Sequence, residues 1–395
     1  MTRKDIVILP GKRTAFGAFG GSLKDFTAND LGVFAAKGAL EAAGVTPNLI
    51  DHVIFGNVAQ TSQDAAYLAR HIGLRSGVPV PTPAYTVNRL CGSGFQAVIN
   101  SAEEILLDEA DMVLTGGTEN MSQSPYVVKG ARWGIRMGSA ELQDYLWAAL
   151  TDTYTGLSMA VSTEELAKQK GISRQAADEY ALRSQVAYKK AFEAGFFKEE
   201  IVPIEIKDKK GNKVLFEKDE HPKPDTTLEG LSKLKPYFVE GGVVTAGSAS
   251  GITDGAAAMV VTTSERAKRE NLKPIGRLLS WAVSGCEPKF MGIGPALAIP
   301  KALQKAGLSL KEIDLVEINE AFSAQYLAVE KELGLNREIT NVNGGAISVG
   351  HPLGASGARI TLHVLYELRR RKKKYGIGSA CCGGGQGVAV LVEAL

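Results

Sequence analysis

The stretch ALEAAGVTPNLIDHVIFGNV, residues 39–58, comes back later in the chain as ALQKAGLSLKEIDLVEINEA, residues 302–321. The two align without a gap at an offset of 263 (302 − 39), with seven of twenty positions identical. Ordinary composition gives roughly one or two. The same offset lays Ser93-Gly94 on Ser356-Gly357, and MVLTGG (112–117) on YGIGSA (375–380). A register held from residue 39 to residue 117 points to two copies of one folding unit.

Each copy reads as α/β. A helix ends at Gly44 or Gly307, where glycine suits the left-handed cap. A short strand follows (Val53–Phe55, Val316–Ile318), then a helix, then a second strand (Tyr85–Val87, Asn341–Asn343). A glycine-rich turn then opens a helix over 94–107 or 357–371, and a last strand completes the unit. Such alternation predicts a mostly parallel sheet with helices on both faces. Residues 121–252 have no counterpart and read as an inserted unit, with a helix from Ser173 to Ala194 stopped by Gly195. The basic run Arg369–Lys374 reads as a helix end, where cations meet the negative end of the dipole.

The 395 residues are 45% hydrophobic and 22% charged, with net charge +2. That length suggests two or three domains. The balance gives no electrostatic case for nucleic acid or a membrane surface. No apolar run is long enough to span a bilayer, and MTRKDIVILPGKRTAFG reads as a first strand leading into a turn, not a signal peptide. Four cysteines, at 91, 286, 381 and 382, do not make a disulfide framework and indicate a reducing compartment. Their spacing matches no zinc pattern, so no metal is expected. No nucleotide-binding glycine fingerprint occurs.

Reactive side chains gather where strands hand over to helices, the usual ligand position in α/β units. Cys91 in NRLCGSGFQAV opens a helix, a setting expected to lower a thiol pKa; a small buried cysteine at a tight turn is the plain alternative. His351 in VNGGAISVGHPLGASGARI lies three residues before position 354, the repeat equivalent of Cys91. Packing about a pseudo-twofold axis would bring thiol and imidazole together, whereas His52, His71, His221 and His363 lack such a setting. Asn319 follows a strand in EINEAF, suited to an oxyanion or to an Asx turn. Cys381 and Cys382 end the last strand pattern of the second copy, before the glycines of CCGGGQG.

With Cys91-Gly92-Ser93, Asn319-Glu320-Ala321-Phe322, Gly350-His351-Pro352 and Cys381-Cys382-Gly383 in order, the chain resembles the thiolase family along nearly its whole length. It looks closest to 3-ketoacyl-CoA thiolases (acetyl-CoA C-acyltransferases) of the mitochondrial-matrix type. The resemblance implies two repeated mixed-sheet core domains layered α-β-α-β-α, over 1–120 plus 253–273 and over 274–395. It also implies a loop domain at 121–252 for tetramerisation and CoA binding, and a homotetramer built as a dimer of dimers. The implied reaction, in fatty-acid β-oxidation, is cleavage of a 3-ketoacyl-CoA by CoA, or the reverse Claisen condensation, through an acylated Cys91. His351 would activate Cys91 and, with a water held by Asn319, polarise the thioester oxygen. Cys381 would be the acid/base at the carbon being made or broken, and the N–H groups of Cys91 and Gly383 a second oxyanion hole. Cys382 would be a small apolar wall residue.

For CoA the resemblance points to Ser250, with Ala246, Leu150, Met159, Phe238 and Met291 lining the pantetheine tunnel, and with Ala321 and Phe322 of the asparagine motif beside the substrate. Lys223 would approach the nucleotide phosphates, unless it is simply solvated. CoA and acetyl-CoA enter as substrates, with no permanently bound cofactor. Ser248 stands where relatives often carry Asn. Ser158-Met159-Ala160 replaces the His-Met-Gly usual in acetoacetyl-CoA-specific acetyltransferases, which favours the broad-range subclass over that alternative. A decarboxylating ketoacyl synthase would lack Cys381, and a non-catalytic acyl-CoA carrier need not keep all four reactive side chains. The expected compartment is the cytoplasm, with the mitochondrial matrix as the alternative.

Overall fold

The computed structural model describes residues 4–208 and 210–395. Residues 1–3, assigned above to the first domain, and residue 209 of the inserted unit lie outside it. In chain order the first half holds β1 (Ile6–Ile8), α1 (Ala28–Ala43), β2 (His52–Gly56), β3 (Ala84–Val87), α2 (Ser93–Leu106) and β4 (Met112–Asn120). The excursion carries α3 (Met159–Lys170) and α4 (Arg174–Glu193) before the chain returns as β5 (Thr253–Thr263). The second half holds β6 (Gly276–Gly285), α5 (Gly294–Ala306), β7 (Leu315–Ile318), α6 (Ser323–Leu333), α7 (Leu353–Arg371), β8 (Tyr375–Cys382) and β9 (Gln386–Ala394).

The repeat is visible in the sheet order, β7-β8-β9-β6-β1-β5-β4-β2-β3. The halves meet edge to edge where β1 pairs with β6, so the local twofold relation passes between those strands. The sheet is mixed, which corrects the mostly parallel expectation. Along that order, among the described residues, only β2 with its neighbours β3 and β4, and β7 with β8, run parallel. The short turn at 383–385 between β8 and β9 demands an antiparallel pair, since parallel neighbours need a long crossover. The strand expected at Asn341–Asn343 is instead two isolated bridges, Thr340 to Val316 and Val342 to Gly344, with Asn341 between them left-handed at φ 47°.

Helix ends follow the chemistry of the sequence. Thr27 and Asp30 close a capping box on α1, and Gly44 ends it in the left-handed region at φ 66°. Gly307 does the same for α5 at φ 69°. Ser173 caps α4, which runs to Glu193 with Gly195 beyond it at φ 75°. The basic run is a salt-bridged helix end: Arg370 and Arg371 both pair with Glu367, and Lys373 and Lys374 reach Asp314 and Glu393.

Three apolar cores separate the layers. One lies between α1 and the first-half strands, and one between α5, α6 and the second-half strands. The central core encloses α2 and α7 between the two inner sheet faces. These are the layers of the α-β-α-β-α arrangement. The two central helices cross so closely that a Cβ on Gly94 would sit 2.5 Å from the Ala358 nitrogen, while one on Gly357 would run into the Phe95 backbone. These are the glycines that the 263-residue offset superimposes. The excursion is anchored by buried charge: Arg13 pairs with Glu200 at 2.8 Å and Asp219 at 2.7 Å, and His363 Nδ1 meets Glu200 at 2.8 Å. Residues Ile201–Val202 also add a short parallel strand beside Arg13–Thr14.

Gly357→Ala should therefore lower unfolding free energy by about 1–3 kcal/mol, the cost of overpacking. Gly285→Ala, where an added Cβ meets nothing within 4 Å, should be near neutral. Urea unfolding of the two variants decides it; equal stability would mean the helix crossing has room to spare.

Candidate active site

Cys91 is presented by a strained turn. After β3 the chain passes through Leu90 at φ 50°, a left-handed conformation costing a non-glycine residue about 1–2 kcal/mol. Local polar bonds hold it there. Asn88 Oδ1 accepts the Leu90 N–H at 2.9 Å, and Ser93 Oγ accepts from the Arg89 N–H at 2.8 Å while donating to the Leu90 carbonyl at 2.7 Å. The thiol then faces a cavity of about 210 Å³ lined by Leu150, Met159, Leu353 and Gly383. The backbone N–H groups of Gly383 and of Cys91 itself are directed at the sulfur. They do not make it acidic. Burial outweighs them and, with Glu119 nearby, pushes the thiol up to about 11, which corrects the expectation of a lowered pKa.

His351 is buried, and burial, aided by the charge of Arg359, lowers its pKa to about 3. The imidazole is neutral at physiological pH. Its tautomer follows from its partners: Ser356 Oγ donates to the Pro352 carbonyl at 3.0 Å, so at 2.6 Å it accepts the proton of Nδ1. Nε2 is left as the lone-pair nitrogen, 3.2 Å from Asn319 Nδ2. Asn319 Oδ1 is buried with no hydrogen-bond partner among the described residues. The Asn319 N–H donates to Ser379, two residues before Cys381, at 2.8 Å. Leu353, two residues after His351, packs with Cys91. The imidazole–amide pair is thus linked to the thiol through Leu353 at the junction of the halves.

Strand alternation separates the neighbouring cysteines. Cys381 clusters with Met291, Ala321, Met159 and Phe322 on the site side. Cys382 belongs to the central core, with its sulfur against the Gly92 backbone. Burial raises the thiols of both, and each feels the charge of Cys91 and of Cys286. That fourth cysteine had given no reason in the sequence to be placed here.

Other expected contacts are placed unevenly. The Ser250 N–H donates to the Ala321 carbonyl at 2.9 Å and the His351 N–H to Gly251 at 3.0 Å, so the 245–251 segment is stitched to both motif loops. Ser248 Oγ accepts from Thr245 N–H at 2.9 Å within the same turn. Ala246 is exposed. Phe238 stacks on Trp147, with ring centroids 6.1 Å apart, beside the Leu150 end of the cavity. Lys223 is exposed, its backbone N–H held by Gln185 Oε1 at 2.9 Å, and no described contact joins it to the cavity. A larger groove of about 660 Å³ beside Tyr188, Phe192 and Phe216 holds none of the candidate residues. Sequence reasoning missed Ser356, Leu353 and Trp147. For Ser356 a signal existed, since the repeat laid it on Ser93 and both serines brace the turn that opens their helix.

Two outcomes follow. Ser356→Ala should lower turnover about 10- to 100-fold, as loss of a ring-orienting partner does, with KM for CoA unchanged; a coequal rise in KM would contradict this. Alkylation of free Cys91 by iodoacetamide should climb about tenfold per pH unit from pH 8 towards pH 11, where an unperturbed thiol levels near 8.5. The raised pKa delays the thiolate to higher pH, so a plateau below pH 9 would contradict it.

Comparison with known proteins identifies the family. Family models described as thiolase, N-terminal domain, and thiolase, C-terminal domain, match residues 6–265 and 272–394. The human mitochondrial 3-ketoacyl-CoA thiolase is 56% identical over 391 residues, covering 99% of this chain and 98% of the relative. Beta-ketothiolase BktB of Cupriavidus necator is 47% identical over the full length of both. The crystal structure of the human mitochondrial enzyme in complex with CoA superposes with a TM-score of 0.97 at 54% identity, covering 99% of this chain and 98% of that one. With matches across both halves of the repeat, the chain belongs to the thiolase family of acyltransferases.

Proposed function

We propose that this chain is a broad-range 3-ketoacyl-CoA thiolase working through an acyl-Cys91 intermediate. The observation that carries the reading is that Cys91, from the first half, receives the Gly383 N–H and is close enough to Cys381, from the second, to act on it electrostatically, while His351 pairs with Asn319. Cys91 attacks the 3-keto carbon as its proton passes to Nε2 of His351. The bond between carbons 2 and 3 breaks, and Cys381 protonates the departing acetyl-CoA carbanion. Incoming CoA gives its thiol proton to Cys381 and takes the acyl group, and Cys91 regains the proton held by His351. Breaking this bond needs a nucleophile, a proton donor and anion stabilisation, and each group supplies one of them.

With thiol and imidazole both neutral at rest, proton transfer is coupled to attack, not completed beforehand. The N–H groups of Cys91 and Gly383, already aimed at the sulfur, form one oxyanion site. His351, with a water on Asn319, forms the other. Leu150, Met159, Phe238 and Met291 line the pantetheine path, and Ser250, Ala246 and Lys223 stand further out towards the nucleotide. CoA bound in the human relative supports that use of the cleft. Ser158, where acetoacetyl-specific enzymes carry His, supports the broad range.

We further assign 1–120 with 253–273, 121–252 and 274–395 as first core, loop and second core domains, with the loop domain serving a homotetramer. The cytoplasm is the proposed compartment, and the names of mammalian relatives support the mitochondrial matrix as the second reading.

Thiolysis of acetoacetyl-, 3-ketooctanoyl- and 3-ketohexadecanoyl-CoA tests the reading; activity on the four-carbon substrate alone would sink the broad range. Cys91→Ser should form no acyl-enzyme. Cys381→Ala should still be acylated from acyl-CoA but lose proton exchange at the acetyl methyl, and normal exchange would assign that proton to another group.

A further inference from the structure

Glu119, at the end of β4, is fully buried and takes no part in the chemistry above. Four N–H donors converge on its carboxylate. Oε1 accepts from Asn57 Nδ2 at 3.0 Å and from the Ala59 N–H at 2.9 Å. Oε2 accepts from the Val58 N–H at 3.1 Å and, across the junction of the halves, from the Gly354 N–H at 2.8 Å. One oxygen atom therefore ties the peptide entering Val58 to the peptide leaving Leu353. Leu353 belongs to the small buried cluster against which Val58 and Cys91 both pack. Leu353 also lines the cavity into which the thiol opens.

We propose that Glu119 is a positioning residue that sets the width of the pocket at Cys91, tying the wall residue Leu353 to Val58, which packs against the same cluster from the other half of the chain, through a single carboxylate oxygen. The donor set fits an acceptor-only group and nothing else. All four partners are N–H groups, so a carboxylate satisfies them completely, whereas an amide turns an NH₂ against at least one pair. The closeness of Glu119 to the thiol is independently marked by its electrostatic effect on Cys91. Burial raises the Glu119 carboxyl to about 7, with the backbone donors of Ala59, Gly354 and Val58 pulling it back. Pocket width decides which acyl chains fit beside Cys91, so Glu119 acts on specificity without touching substrate. The acyl occupant rests on the thiolase reading, but the wall geometry does not.

The experiment reads the pocket through Cys91 alone. Alkylation rates at Cys91 are measured by mass spectrometry for iodoacetamide and N-hexyliodoacetamide, in the intact chain and in Glu119→Gln. The ratio of the two rates should change about tenfold or more, the scale on which hydrophobic pockets discriminate chain length. Combining Glu119→Gln with Val58→Ala should give a change in the ratio that is not the product of the single changes, because the two share one wall. Glu119→Asp, which keeps the acceptor but shortens its arm, should shift the ratio less than Glu119→Gln; it serves as the reading variant if Glu119→Gln does not fold. An unchanged ratio in the folded variants, whatever their melting temperature, overturns the proposal, as does multiplicative behaviour of the double variant. Thiolysis by the unmodified chain is scored separately, so failure of the thiolase reading and failure of the wall assignment are told apart.

Discussion

The close crossing of α2 and α7 at Gly94 and Gly357 is the contact on which the site depends. The two backbones approach until no Cβ fits between them, and the crossing lies in the first turn of α2 and at the start of the second turn of α7. Cys91 precedes one helix and His351 the other. Any side chain at either glycine would push the helices apart and with them Cys91 and His351. The same economy appears where a Cβ on Gly117 would meet the Gly354 carbonyl. Small residues here are a condition of bringing the motif loops of two copies of one unit to a single junction.

Burial then governs the chemistry. Helix N-termini and backbone N–H groups favour a thiolate, and two such groups do face Cys91. Withdrawing the sulfur from water costs the charged form more, and the result is a neutral thiol in a site whose imidazole is also neutral. That arrangement suits an enzyme that must bind a neutral ketone before generating charge. Stabilisation is held ready in fixed N–H donors instead of being used on a resting ion pair.

Buried carboxylates, each saturated by four donors, keep the motif loops in place. Glu320 accepts from Tyr180 OH and Ser184 Oγ, both at 2.7 Å, and from Asn341 Nδ2 at 2.9 Å and the Ile347 N–H at 3.1 Å. It locks α4 and the loop leading to His351 onto the turn that carries Asn319. Glu119 does the same between the two halves. A buried charge without such partners would cost several kcal/mol, so the donors and the acceptor specify one another's position.

The repeat, the helix caps at Gly44 and Gly307, the four motifs and the meeting of Cys91 with the second half were all legible in the sequence, because each depends on local spacing or on self-similarity. Strand direction was not: alternating helices and strands look alike whether β5 and β9 run parallel or antiparallel to their neighbours. Nor could spacing reveal that Glu119 reaches Gly354, or that Cys286 joins the other three thiols, since those contacts join segments far apart in the chain. The pKa of Cys91 fell on the same side of that line. Sequence shows the helix start that would lower it, but only the folded packing shows how far the sulfur is withdrawn from water, and that withdrawal prevails.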